Sequence, residues 1–312
     1  MLNWLSRYWE MPENPLDSFH APVLLEQAIN GLVTDVDGTY VDATFGGGGH
    51  ARAILQRLSS RGRLYAFDQD KDALINAPDD DRCTVIHSNF RFIQNFLRYY
   101  HVDKVHGILA DLGVSSYQLD QEEKGFSFSS VDLDMRMNSD GPITAELLVN
   151  RLSEKELVHM FSQYGEVRNA KTLARAIVQA RASAPITSTQ NLIQCVEPVI
   201  MGHRTRYLAQ VFQAIRIKVN NEIGVLQDLL TTSIDVLGTG GRLVIITYHS
   251  IEDRVVKHFF KSGSFGPTFT HPNLDQDWIM KTVNKKPIRP TAEEIQRNRR
   301  SRSAKLRIAE IM

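Results

Sequence analysis

The 312-residue chain has two cysteines, Cys83 and Cys195, far apart and with no ligand set around either. That excludes a disulfide-stapled scaffold and a cysteine-rich zinc module, and reduced thiols in a cytosol are expected. No apolar run approaches the ~20 residues that span a bilayer, so no membrane partner is expected. The opening MLNWLSRYWEMPENPLDSF lacks the basic start and apolar core of a signal peptide, and it lacks the acid-poor composition of a transit peptide. Residues 1–19 therefore read as a short arm before the fold, and the expected location is cytoplasmic. Internal repeats and low-complexity stretches are absent too, which excludes solenoids and linker arrays.

Net charge is also lacking, because 36 Lys and Arg balance 36 Asp and Glu. The balance is uneven along the chain. Residues 168–218 hold eight basic residues against one acid, Glu197, and residues 281–312 hold ten against three. Together these segments carry +14, so the remaining 229 residues carry −14. Either patch alone is equally well a solvated face. Two of them on an otherwise acidic chain point to a polyanion such as nucleic acid.

Four short apolar runs, Thr39–Ala43, Arg63–Phe67, Cys83–His87 and Val105–Ala110, alternate with helical stretches. That alternation predicts an α/β fold with a mostly parallel sheet. From about Asp132 the pattern becomes helical. TAELLVNRLSEKELVHMFSQYG, RNAKTLARAIVQARAS and TSTQNLIQCVEPVI carry no strand signal, and strand character returns at GGRLVIITYHS and SAKLRIAEIM. The predicted organisation is one α/β domain, residues 20–131 and 219–312, interrupted by a helical insert over 132–218.

The strand run YVD spills into FGGGGH, and ligands of open α/β sheets bind beyond the carboxyl ends of the strands. Gly46-x-Gly48-x-x-Ala51 fits a dinucleotide fingerprint loosely, with Asp68 22 residues after Gly46 as the acid for ribose hydroxyls. NAD, FAD and S-adenosylmethionine all remain open on that signal. Phe90, after the third strand, offers a face for adenine or fills the core. No His–Asp pair for hydride transfer stands out in the insert, and Asp42 or Asp111 is an acid for an ammonium group. The balance favours the methyl donor.

HAPVLLEQAINGL, DATFGGGGHARAIL, DLGVSSYQLDQEEKGFSF, LDMRM, FQAIRIKVNNE, GGRLVIITYHSIEDRVVK and RSRSAKLRIAE occur in this order. From His20 onward the chain closely resembles the RsmH (MraW) family of small-subunit ribosomal RNA methyltransferases. The resemblance implies a class I S-adenosylmethionine-dependent methyltransferase fold, Rossmann-like with an inserted helical domain. It implies N4-methylation of a cytidine in the decoding region of 16S ribosomal RNA, within the small ribosomal subunit, by a monomer or homodimer. It places cofactor contacts on Gly48, Gly49, His50, Asp68, Phe90, Asp111 and Gln118. The loop GHRTRY and Arg299, where relatives commonly carry proline, depart from the family pattern.

For the chemistry, Asp111 is the best-placed acceptor for a cytosine amine, or else it serves the donor. Ser115 and Ser116 either bond the base edge or cap the next segment. Tyr248 and His249 are candidate walls of the base pocket, His249 also a candidate catalytic group. His249, Glu252 and Asp253 lack the paired-His spacing of a zinc helix, so no metal is expected. Ser250 with Asp253 reads as a capping-box start of a helix through Phe260. Arg204 and Arg206, in a stretch read as loop, and Arg299 and Arg300 in the tail are candidate RNA contacts. Arg168, Lys171, Arg175 and Arg181 form a stripe that is either phosphate-binding or merely solvated.

Overall fold

The four early runs become strands β1 (Thr39–Asp42), β2 (Arg63–Asp68), β3 (Cys83–His87) and β4 (Val105–Asp111), and the returning run becomes β5 (Leu237–Thr247). The computed structural model describes residues 22–266, 269–270 and 278–312. The expected arm over residues 1–19 lies outside the described residues, as does the side chain of Ser116. A short hairpin, β6 (Ser264–Gly266) and β7 (Phe269–Thr270), precedes β8 (Met280–Thr282) and β9 (Lys305–Ile311). The main sheet runs β3-β2-β1-β4-β5-β9-β8, with its first five strands parallel and β9 antiparallel to both neighbours. This is the class I methyltransferase fold that the resemblance implies. Strand order reverses between β1 and β4, which opens a crevice at their carboxyl ends.

Helix α1 (Leu25–Leu32) precedes β1, α2 (Gly49–Arg57) joins β1 to β2, α3 (Ile93–Tyr99) joins β3 to β4, and α4 (Ser116–Asp120) follows β4. Between β4 and β5 come α5 (Ala145–Arg151), α6 (Glu154–Gly165), α7 (Ala170–Ser183), α8 (Thr189–Val196), α9 (Arg204–Asn220) and α10 (Glu222–Val236). After β5 follow α11 (Ser250–Ser262) and α12 (Ala292–Arg297). Packing divides into three apolar clusters. One joins α3, α10 and α11 to the sheet through Phe67, Leu97, Ile108, Leu229 and Phe259. A second seats α1 and α2 on the opposite face through Leu32, Ile54, Leu64 and Ile246. The third draws all its buried members from residues 126–215, among them Leu157, Phe161, Leu173 and Val211.

The helical run TAELLVNRLSEKELVHMFSQYG holds two helices, because Ser153 starts a new one with a capping box to Glu156. Local details differ from expectation in two places. Arg204 and Arg206 open α9 rather than sit in a loop, since Tyr207, Leu208 and Val211 extend the buried stripe of Phe212 and Ile215 upstream of FQAIRI. The capping box of α11 is formed by His249 and Glu252, one residue ahead of Ser250 and Asp253. Glu252 is long enough to reach back to the backbone N–H groups of Tyr248 and His249, at 3.0 and 3.3 Å. Asp253 instead takes Lys305 (2.9 Å) and Arg307 (2.7 Å) of β9, so two tail cations are packing partners.

Candidate active site

Segments following β1, β2, β3, β4 and β5 converge on one cleft of about 670 Å³. Gly46 and Gly48 have φ of 51° and 75°, where a Cβ is strained, so the turn after β1 requires glycine. Gly46, Gly47, Gly49 and His50 line the cleft. Gly48 is not among the lining residues, and a side chain on it would meet Phe45 and Arg52 at 2.9 Å; its part is to shape the turn. Arg52 was not singled out from the sequence. Its guanidinium donates to Gly47 O (2.7 Å) and Asn76 O (2.8 Å), which fixes the loop.

Asp68, at the end of β2, accepts the Gly46 N–H at 2.7 Å on one oxygen and the Asp70 N–H at 2.8 Å on the other. Each oxygen keeps a second lone pair, the chemistry needed for a pair of hydroxyls. Burial raises its pKa against these bonds. Phe90 lines the cleft and also packs on the sheet core.

Asp111 ends β4 and lines the cleft. Tyr248 O–H donates to its Oδ1 at 2.8 Å, while Oδ2 stands 3.8 Å from His50 Nδ1. Burial pushes the Asp111 carboxyl up to about 7; the Tyr248 bond opposes this, and the charges of Asp42 and Glu252 add to it. His50 is pushed down to about 4 by burial, so its ring is neutral at pH 7. Its Nε2 is 3.2 Å from Val23 O, which assigns the ring proton to Nε2 and leaves the Nδ1 lone pair toward Asp111. Asp42, the other candidate acid, is 1% exposed and does not line the cleft.

The segment after β4 forms a second wall. Ser115 Oγ accepts the Gln118 N–H, and Gln118 Oε1 accepts the Ser115 N–H, a capping box that starts α4. Ser115 thus caps while still lining the cleft. The Gln118 amide also donates to buried Asp70 at 2.8 Å, so this side chain is committed within the protein.

Arg216, Asn220, Glu222, Tyr248 and Glu252 also line the cleft, with Asn298, Arg300 and Ser303 from the tail. Arg216 holds both oxygens of Glu222, at 2.8 and 2.9 Å. Sequence reading missed this pair, although FQAIRIKVNNE contains it. His249 is not among the lining residues. Its Nδ1 accepts the Glu252 N–H at 3.3 Å, which places the ring proton on Nε2, 3.1 Å from Glu252 Oε1 at an angle that makes no hydrogen bond. Glu222, His249 and Glu252 bring ligand-type atoms within 4.8 Å of one another. The His249 Nδ1 lone pair already accepts from Glu252 and Glu222 is already held by Arg216.

The basic candidates divide. Arg300 lines the cleft and pairs with Asp120 at 2.6 Å. Arg204 pairs with Glu197 at 2.8 Å, and it, Arg206 and Arg299 are exposed outside the cleft. Within the stripe, Arg175 pairs with Glu154 and Arg181 donates to Val149 O, whereas Arg168 and Lys171 are exposed.

Residues 17–312 match the model of the MraW methylase family. A ribosomal RNA small subunit methyltransferase H from Amoebophilus asiaticus is 48% identical, covering 96% of this chain and 98% of that protein. The protein of the same name from Flavobacterium johnsoniae is also 48% identical, over 94% of this chain and 97% of its own. Among solved structures, an rRNA methylase from Streptococcus thermophilus aligns with 97% of this chain and 99% of that one, at 13% identity and a TM-score of 0.40. On the family match and the near-complete coverage at this identity, the chain belongs to the MraW methylase family.

Proposed function

We propose that this protein transfers a methyl group from S-adenosylmethionine to N4 of a cytidine in the 16S ribosomal RNA of the small ribosomal subunit, in the cytoplasm. The relatives' name supports the RNA class. The single observation that carries the chemistry is Asp111: a half-buried carboxyl lining the cleft, one oxygen oriented by Tyr248 and the other 3.8 Å from His50.

The cleft residues fit the donor. Asp68 offers paired acceptors for ribose hydroxyls, Phe90 a face for adenine, and the glycine loop close backbone approach. A carboxyl pushed to about 7 also favours a cationic guest, because an ammonium beside Asp111 restores its charged form. S-adenosylmethionine, when bound, supplies an electrophilic methyl group on sulfur. The protein's own part is positioning. Asp111 Oδ2 accepts a hydrogen bond from the attacking amine, whose lone pair must leave conjugation with the ring. Tyr248 and Glu252 line the wall that excludes water. The exposed tail and insert arginines supply salt-dependent affinity for phosphates. Residues 132–218 are proposed as the unit that recognises RNA.

The test is mass spectrometry of small-subunit ribosomal RNA from cells with and without the gene. Loss of one N4-methylcytidine, restored by purified protein and S-adenosylmethionine, is the expected result. If every mark persists, the substrate is another amine, in DNA, protein or other RNA.

A further inference from the structure

Four aromatic side chains line the cleft among the described residues: Phe45, Phe90, Tyr117 and Tyr248. Three are committed. Phe45 is 2% exposed and packs beneath the glycine turn, Phe90 packs on the sheet core, and the Tyr248 hydroxyl is bonded to Asp111. Tyr117 differs, since half of it, 50%, is exposed. It stands in the first turn of α4 and lines both the main cleft and an adjoining pocket of about 380 Å³.

Resting on the reading that the substrate is an RNA base, we propose that Tyr117 is the stacking platform for the nucleobase drawn out of its RNA stack. A base reaching this cleft gives up its stacking neighbours, and an aromatic face replaces them. The ring has one face to offer. Lys124 Nζ lies over it at 5.8 Å from the centroid, and Lys124 lines the adjoining pocket but not the cleft. The cation thus occupies one face of the ring, and the other is the face assigned to the base.

The ring is also held in place. Lys124 Nζ is 2.5 Å from buried Asp70 and 3.2 Å from Asp72, and Asp70 takes the Gln118 amide one residue along from Tyr117. Asp70 in turn donates its N–H to Asp68. One chain of contacts thus links the acid assigned to the donor with the ring assigned to the base. Lys124 and Gln118 are positioning residues in this scheme.

The experiment uses the full chain and an RNA hairpin of the decoding region. Methyl transfer is measured for Tyr117→Leu, Tyr117→Phe and Tyr117→Trp. Loss of one base–aromatic stack raises the RNA KM of Tyr117→Leu by ~5- to ~150-fold. S-adenosylmethionine affinity stays at the wild-type value, and the Phe and Trp variants keep the wild-type KM. A hairpin with fluorescent pyrrolocytosine at the target position is quenched by wild type and not by Tyr117→Leu. A purely structural role for Tyr117 moves stability without that quenching difference. If wild type transfers methyl groups but Tyr117→Leu keeps its KM and its quenching, the inference is overturned while the functional reading stands. If wild type methylates no RNA, both fall together.

Discussion

Asp42 offers a sharp test of how burial sets the energetics beneath the glycine loop. Its carboxyl is 1% exposed; Oδ1 accepts the Thr44 N–H at 3.1 Å, and Oδ2 has no partner among the described residues. Burial pushes its pKa from 3.8 to about 7, with the Thr44 bond opposing and the Asp68 charge adding. A raised carboxyl binds its proton in the folded state at pH values where the unfolded chain has lost it. Stability from this group therefore falls as pH rises from about 4 to about 7. The shift of about three units corresponds to ~4 kcal/mol, fully incurred above about pH 7. Asp42→Asn removes the titration and keeps the Thr44 bond, but it leaves an amide N–H without a partner at a pH-independent cost of ~1–3 kcal/mol. Between about pH 5 and about pH 8 the variant should gain ~3 kcal/mol on wild type, ~5 °C in Tm at an unfolding entropy of ~2.1 cal/mol/K per residue. The same substitution removes one of the charges that raise Asp111, which acts in the same direction. Thermal denaturation of both proteins across that pH range is the assay. A Tm difference that stays constant with pH would refute the argument.

Asp68→Ala should weaken S-adenosylmethionine binding by ~10- to ~150-fold in calorimetry, with RNA affinity kept; equal loss of both contradicts the assignment. Tyr248→Phe deletes the hydrogen bond that pulls the Asp111 pKa down, so the acid limb of the pH–rate profile should move to higher pH, and an unmoved limb excludes that role. Replacing exposed Arg299 and Arg302 by Gln should flatten the salt dependence of RNA binding by ~0.7 for each phosphate that is no longer neutralised, whereas an unchanged slope removes them from the interface. Leu173→Ala, in the core of the insert, should cost ~2–5 kcal/mol of stability. Because that cluster shares no buried member with the sheet, donor affinity in the variant should persist in calorimetry, and its loss would show that the two units unfold together.

The parallel strands were legible because each is a short apolar run closed by an acid, Gly or Asn, and Asp68 because its spacing from Gly46 reflects one strand–helix–strand step. β8 was not legible: three residues, Met280–Thr282, carry no period, and their strand state depends on pairing with β9. Arg204 and Arg206 were misread because two cations at a helix N-terminus oppose its dipole and obscure the start of α9. The Arg216–Glu222 pair spans the break between two helices at Asn221, whose φ is 48°, so no single helical period relates the two residues. His249 looked catalytic because its neighbours are acids, yet only the fold decides whether a ring caps a helix or faces a cleft. Asp42 and Asp111 were alternatives for an ammonium in the sequence, and a difference in depth separates them.

The placement of β9 bears on how the chain is made. Residues 305–311 pair along β5, which ends 58 residues before Lys305, and they separate it from β8. Until those residues are synthesised, the apolar run LVIIT of β5 is a bare sheet edge, able to recruit strands from other chains. Asn298, Arg300 and Ser303, which complete the cleft wall, are made just ahead of β9. A growing chain therefore acquires its glycine loop early and its finished cleft late. During that interval the cell holds a protein able to aggregate before it is able to methylate.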